Sequence, residues 1–142
     1  MLKTFYIGVK GVIVSDDRAL LLKRRDQGGR NYWDIPGGRV DDDEKFKQTL
    51  ERELKEELPS IQDIQIGNLL YVYRLSHDLK DGNGLVLVFF KVKAFIPEVV
   101  MSNEHFDYNW IGLEELDKVG NDGKDGYLEE GYREAVRLAL SK

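Results

Sequence analysis

Residues 38–57 read GRVDDDEKFKQTLERELKEE, and the spacing of charge within them decides how the whole chain is read. A glycine turn opens the stretch, and a helix carrying Glu44, Arg52, Glu53, Glu56 and Glu57 follows. At about 100° per residue, Glu53, Glu56 and Glu57 stand at i, i+3 and i+4 and occupy one sector of that helix. Three like charges on one face repel each other unless something cationic lies among them. A divalent metal meets that need, because hard cations such as Mg²⁺ take carboxylate oxygens.

Phe46, Leu50, Leu54 and Leu58 recur at four-residue steps as the apolar stripe expected to face the core. Helical pitch puts Glu53 and Glu57 within about 20° of Phe46, at the edge of that stripe, and Glu56 about 80° away. A carboxylate pressed toward the interior without a partner is costly, and metal coordination removes the conflict. Ordinary exposed helices also carry acid–base pairs four residues apart, and Glu51–Lys55 and Arg52–Glu56 fit that description. The glycine turn, Glu44 and the stripe-side carboxylates in a single register favour the metal site over this plainer reading.

Gly38, then five residues, Glu44, then seven residues and Arg52-Glu53-Leu54-Lys55-Glu56-Glu57 resemble the signature of the MutT-like Nudix hydrolases, and Ile35-Pro36-Gly37-Gly38 resembles its lead-in. The family pattern normally closes with a glycine and an aliphatic residue. Here the glycine position is Pro59, followed by Ser60 and Ile61. Proline ends a helix and moves the preceding Leu58 out of α geometry.

The resemblance implies an α/β fold, a Nudix-type α/β/α sandwich with a mixed β-sheet, as one domain over residues 1–142. It implies metal-dependent hydrolysis of a phosphoanhydride bond, in a nucleoside diphosphate linked to another moiety or in a nucleoside triphosphate. Position by position it assigns Glu53, Glu56 and Glu57 to the metal, with a backbone carbonyl of Gly37 or Gly38 as a further ligand. The ion expected is Mg²⁺, with Mn²⁺ as the alternative. Glu53 is the first candidate for general base, since it lies among the ligands at the buried edge. Arg52 and Glu44 are expected behind the ligands, Arg52 fixing carboxylates through bidentate hydrogen bonds. Taken alone, Glu44 reads as an acid favoured by the helix dipole.

Outside this stretch the residues leave alternatives open. Glu104, in Ser102-Asn103-Glu104-His105, resembles the downstream position where some Nudix members keep an extra metal ligand or base; an ordinary surface acid is the alternative. Arg24 and Arg25 close a strand near the glycine turn, as phosphate contacts or as solvated strand-end charges. Tyr32 or Trp33 stacks on a nucleobase or belongs to the core. His105 is expected to be structural or solvent-exposed. His77 has no motif around it, and neither histidine has the partner a zinc helix requires. Asp41-Asp42-Asp43 is no calcium loop, because Phe46 stands where that loop needs glycine; Asp42 or Asp43 is expected as helix cap.

Along the chain, residues 4–15, 19–25, 32–35, 64–76, 85–96 and 108–111 read as strands, with helices at 44–58, 113–116 and 127–140. Asp81-Gly82-Asn83-Gly84 marks a turn, and the glycine-rich stretch 120–126 a loop. Ala19-Leu20-Leu21-Leu22 is apolar on both faces, as expected of a central strand covered from two sides.

A chain of 142 residues with 42% hydrophobic content can bury one core. Its formal charge of −5 argues against a surface for duplex nucleic acid, which needs a basic stripe. No cysteine is present, so disulfides, thiolate metal sites and cysteine nucleophiles are excluded. No stretch has the length to span a membrane, and the N-terminal residues lack an apolar signal core. The expectation is a soluble cytoplasmic protein with a small nucleotide-type substrate, no nucleic-acid polymer and no membrane partner. The resemblance leaves a homodimer open. A Nudix-fold sensor that binds a nucleotide without cleaving it, and a plain adaptor domain, are the rival readings. Residues 20–36 and 59–76 lack the extra motifs that coenzyme A- and NADH-cleaving members tend to carry.

Overall fold

The computed structural model describes residues 1–121 and 125–141. Seven strands and two helices follow in the order β1 (Phe5–Ser15), β2 (Arg18–Arg25), β3 (Asn31–Asp34), β4 (Gly37–Arg39), α1 (Phe46–Glu57), β5 (Gln62–Arg74), β6 (Gly84–Phe95), β7 (Asp107–Ile111) and α2 (Glu130–Leu140). The sheet runs β3-β2-β1-β6-β5, with β4 added to β1 and β7 to β2. It is mixed: β1 and β6 run parallel from Phe5↔Gly84 to Ile13↔Val92, and the other pairs are antiparallel.

Period-two alternation divides the apolar residues between two cores. Leu20 and Leu22 of β2, with Val9, Ile13, Val88, Phe90 and Val92, pack under Leu50, Leu54 and Leu58 of α1. Ala19, Leu21, Leu87 and Phe89 point the other way and meet Tyr132, Ala135, Val136 and Ala139 of α2. The two helices therefore cover opposite faces of the sheet, as the α/β/α expectation requires.

Several elements differ from the sequence expectation. Helix α1 starts at Phe46, whose side chain is exposed beyond the reach of the sheet, so the buried stripe is Leu50, Leu54 and Leu58 together with Thr49 and Glu57. Neither Asp42 nor Asp43 caps it. Asp42 takes the left-handed conformation (φ 50°) in a turn closed by the Glu44 N–H donating to Asp41 O. The Lys45 N–H at the cap instead donates to Gln48 Oε1 at 2.8 Å. At the other end Leu58 has φ −128° and ψ 76°, as the Pro59 argument expects.

Residues 113–116 form successive turns rather than a helix, with i+3 bonds such as Leu116 N–H to Leu113 O. A segment this short has no cooperative gain from helix propagation. Helix α2 begins three residues later than expected because Tyr127 is taken up as a parallel bridge beside Tyr32, its carbonyl accepting from the Trp33 N–H. Part of the glycine-rich loop lies outside the described residues.

Candidate active site

The site is built where the glycine pair of β4 meets the last two turns of α1. Gly37 has φ 149°, and a Cβ there would collide with the Val9 carbonyl, so only glycine fits. A Cβ on Gly38 would collide with the carboxylate of Glu53. The helix acids thus press directly on bare backbone. Glu57, 3% exposed, accepts the Gly37 N–H at 2.8 Å through Oε2. Burial pushes its carboxyl up to about 8, against the opposing pull of Lys10. Burial also raises Glu53, which Arg52 partly offsets. Glu56 is exposed.

Arg52 organises the acids around itself. Its Nε and Nη2 donate to both oxygens of Glu44 at 2.8 Å each, the bidentate geometry expected of it. Nη1 reaches Glu53 at 3.0 Å and Glu56 at 3.4 Å. The hydrogen bonds from Arg52 hold the Glu44 carboxyl well below its ordinary range, at about 2. Thr49 Oγ1 also donates to Glu44. Glu44 is therefore an anchor for Arg52.

Among the described residues no three His, Asp or Glu side chains converge tightly enough to form a ready-made metal cage. Glu53, Glu56 and Glu57 share a helix sector, but Glu56 leans on Arg52 and Glu57 on the Gly37 amide. The donor chemistry still fits a hard divalent cation: all oxygen, with two of the acids partly or wholly withdrawn from water and their pKa raised.

The flanking candidates separate by strand alternation. Arg24, on the same face of β2 as Leu22, has Nη1 3.7 Å from Asp34 and 4.0 Å from Glu104, so these three groups meet. Arg25 points to the other face, its guanidinium 5.6 Å from the Phe106 ring. Tyr32 shares the Arg24 face, and its ring stacks on Tyr127 with centroids 5.4 Å apart. Trp33 does not offer a nucleobase a stacking surface. It lies in the α2 core with Lys23 Nζ 4.6 Å over its ring, because β3 turns alternate residues to opposite faces.

Sequence reasoning missed a buried polar group beside this site. Asp34 accepts Lys10 Nζ at 3.0 Å and its own neighbour Ile35 N–H at 2.9 Å on one oxygen, and meets His105 Nε2 at 3.3 Å on the other. Burial alone would raise its carboxyl, but Lys10 and His105 outweigh burial and bring it to about 2. The available signal was a lone charge inside each apolar run, Lys10 after Val9 and Asp34 before Ile35.

The NUDIX domain model matches residues 6–131. An ADP-ribose pyrophosphatase of Methanocaldococcus jannaschii is 27% identical over 116 residues, covering 82% of this chain and 67% of the relative. The asymmetrical bis(5'-nucleosyl)-tetraphosphatase of Rattus norvegicus is 28% identical over 120 residues, covering 80% of this chain and 78% of its own. Among solved structures, a MutT protein from Methanosarcina mazei superposes with TM-score 0.76 at 24% identity (96% and 93% coverage). A MutT NUDIX hydrolase from Burkholderia pseudomallei superposes with TM-score 0.71 at 28% identity (96% and 98%). With the family model matching residues 6–131, most of its length, the chain belongs to the NUDIX family.

Proposed function

We propose that the chain hydrolyses a phosphoanhydride bond in a nucleoside diphosphate linked to another moiety, or in a nucleoside triphosphate, with Mg²⁺ held by Glu53, Glu56, Glu57 and the Gly38 carbonyl. Mn²⁺ is the alternative ion. Family membership and the pyrophosphatase and tetraphosphatase names of its relatives support a hydrolase acting on acid anhydrides. The observation that carries the reading is the fit of two acids to two glycines: buried Glu57 bonded to the Gly37 amide, and half-buried Glu53 filling the space a side chain at position 38 would take.

The bound ion supplies neutralising charge to the phosphate oxygens and makes a water more acidic. Glu53 takes the proton from the attacking water. Arg52, itself anchored on Glu44, holds the Glu53 carboxylate in place. Arg24 meets the negative charge of the substrate phosphates, and Glu104 beside it serves as a further ligand or base. Tyr32 borders the nucleotide with the face not covered by Tyr127; Arg25, at the strand end, meets substrate only at its periphery.

The partner proposed is a small nucleotide, not a nucleic-acid polymer or a membrane. A formal charge of −5 supports the first exclusion. No helix among the described residues is long and apolar enough to cross a membrane. A cytoplasmic setting is proposed with it, where nucleotides and free Mg²⁺ occur together, and a homodimer is tested by sedimentation.

Product release from a nucleotide panel with Mg²⁺ tests the reading, beginning with ADP-ribose and a dinucleoside tetraphosphate. Turnover abolished by Glu53→Gln is the expected result. Bound Mg²⁺ without turnover on any member would make the protein a sensor, and absence of Mg²⁺ binding would make it an adaptor.

A further inference from the structure

Glu104 has 58% of its side chain exposed and sits in a loop, yet the residues on either side of it are tied down. The Ser102 N–H donates to the backbone carbonyl of Glu57, at the end of α1, at 3.1 Å. The Phe106 N–H donates to the Lys23 carbonyl of β2 at 3.0 Å. Between them His105 turns its fully buried ring inward onto Asp34. Asp34 is ionised and can only accept, so His105 Nε2 is the donor in that contact. Among the described residues His105 Nδ1 is buried without a partner, and Ser102 Oγ as well. Unsatisfied buried polar atoms cost stability, and an apolar ring would fill the same space without that cost. The histidine therefore serves something other than packing.

We infer that His105 is a positioning residue: seated on Asp34, it locks the 102–106 loop between the end of α1 and β2, and so holds Glu104 opposite Arg24 at the rim of the acid cluster. The inference rests on the reading of Glu104 as part of the hydrolytic site. One observation supports the reach of the device: Arg24 Nη1 lies 3.7 Å from Asp34 and 4.0 Å from Glu104, so the buried carboxylate that seats His105 and the exposed Glu104 share one cation.

The test combines kinetics on whichever panel nucleotide is turned over with amide hydrogen exchange on the full chain. His105→Ala lowers kcat by about 10²-fold through misplacement of Glu104, with KM nearly unchanged. His105→Gln, whose amide can donate to Asp34, recovers most of the loss. In a Glu104→Gln background, His105→Ala adds little, because both changes remove the same contribution. Exchange at Ser102 and Phe106 accelerates in His105→Ala and is restored in His105→Gln, while protection in β1 and β6 persists. Multiplicative kinetic losses in the double variant, or a loop whose exchange ignores His105, would overturn the inference. A wild-type protein inactive on the whole panel sinks the hydrolase reading separately, and the exchange arm still decides the latch.

Discussion

Glu57 makes the metal-free protein weaken as pH rises, and removing its charge should strengthen it. The side chain is 3% exposed, and its carboxyl titrates at about 8 against an ordinary value of 4.5. An acid whose pKa is raised by folding is better protonated in the folded state, so between those two values the folded protein holds more protons than the unfolded chain. Stability then falls with increasing pH across that window, unlike the usual depressed carboxylate. The full gap corresponds to about 5 kcal/mol, and the portion between pH 6 and 8 to about 3 kcal/mol. For a chain of this length that is a fall in Tm on the order of 10 °C. Asp34, at about 2, titrates outside the window and adds no slope there. Thermal melts in a chelator from pH 5.5 to 8.5 read the slope directly. Glu57→Gln keeps an acceptor for the Gly37 N–H and removes the Glu57 share of the slope, leaving that of Glu53, so that at pH 8 the variant is more stable than the wild type. Saturating Mg²⁺ flattens the wild-type slope too, but leaves the variant little changed. A metal-free variant less stable than the wild type at pH 8 would refute the argument, because it would mean the ionised carboxylate is already well compensated.

Four substitutions separate the parts of the site. Gly38→Ala pushes only the flexible end of Glu53, so turnover falls by about 10²-fold while Tm moves little; Gly37→Ala meets the backbone of β1 at a positive φ and costs about 3 kcal/mol or more in urea unfolding. Arg52→Lys keeps the charge but loses the fork on Glu44, so kcat drops about 10- to 100-fold with stability retained, measured by steady-state kinetics and melts. Lys10→Met strands the Asp34 carboxylate in the interior and destabilises by about 3–5 kcal/mol in denaturant titration, whereas a loss below about 1 kcal/mol would mean water reaches Asp34.

What could be read from the chain was what repeats along it. Strands β2 and β6 announce their two-sided burial by apolar runs, and α1 announces itself by leucines four apart with acids beside them. Strand β4 carries no such pattern: two glycines give no periodicity, and the strand exists because Gly37 and Gly38 lie against Lys10 and Val9 of β1. Tyr32 and Trp33 could not be told apart without knowing which face of β3 looks toward the site. Asp34 would have answered that, since a charge at the next same-face position marks the polar side, but its meaning depends on partners 24 and 71 residues away. Lys10 and Asp34 each look like an isolated misfit in an apolar neighbourhood, while His105 stands in a polar loop, and any one of them alone is uninformative. Together they are not, because a buried charge must be paired. A lysine in β1, an aspartate in β3 and a histidine just before β7 can pair only if those segments converge, so they constrain both the sheet order and the placement of Glu104.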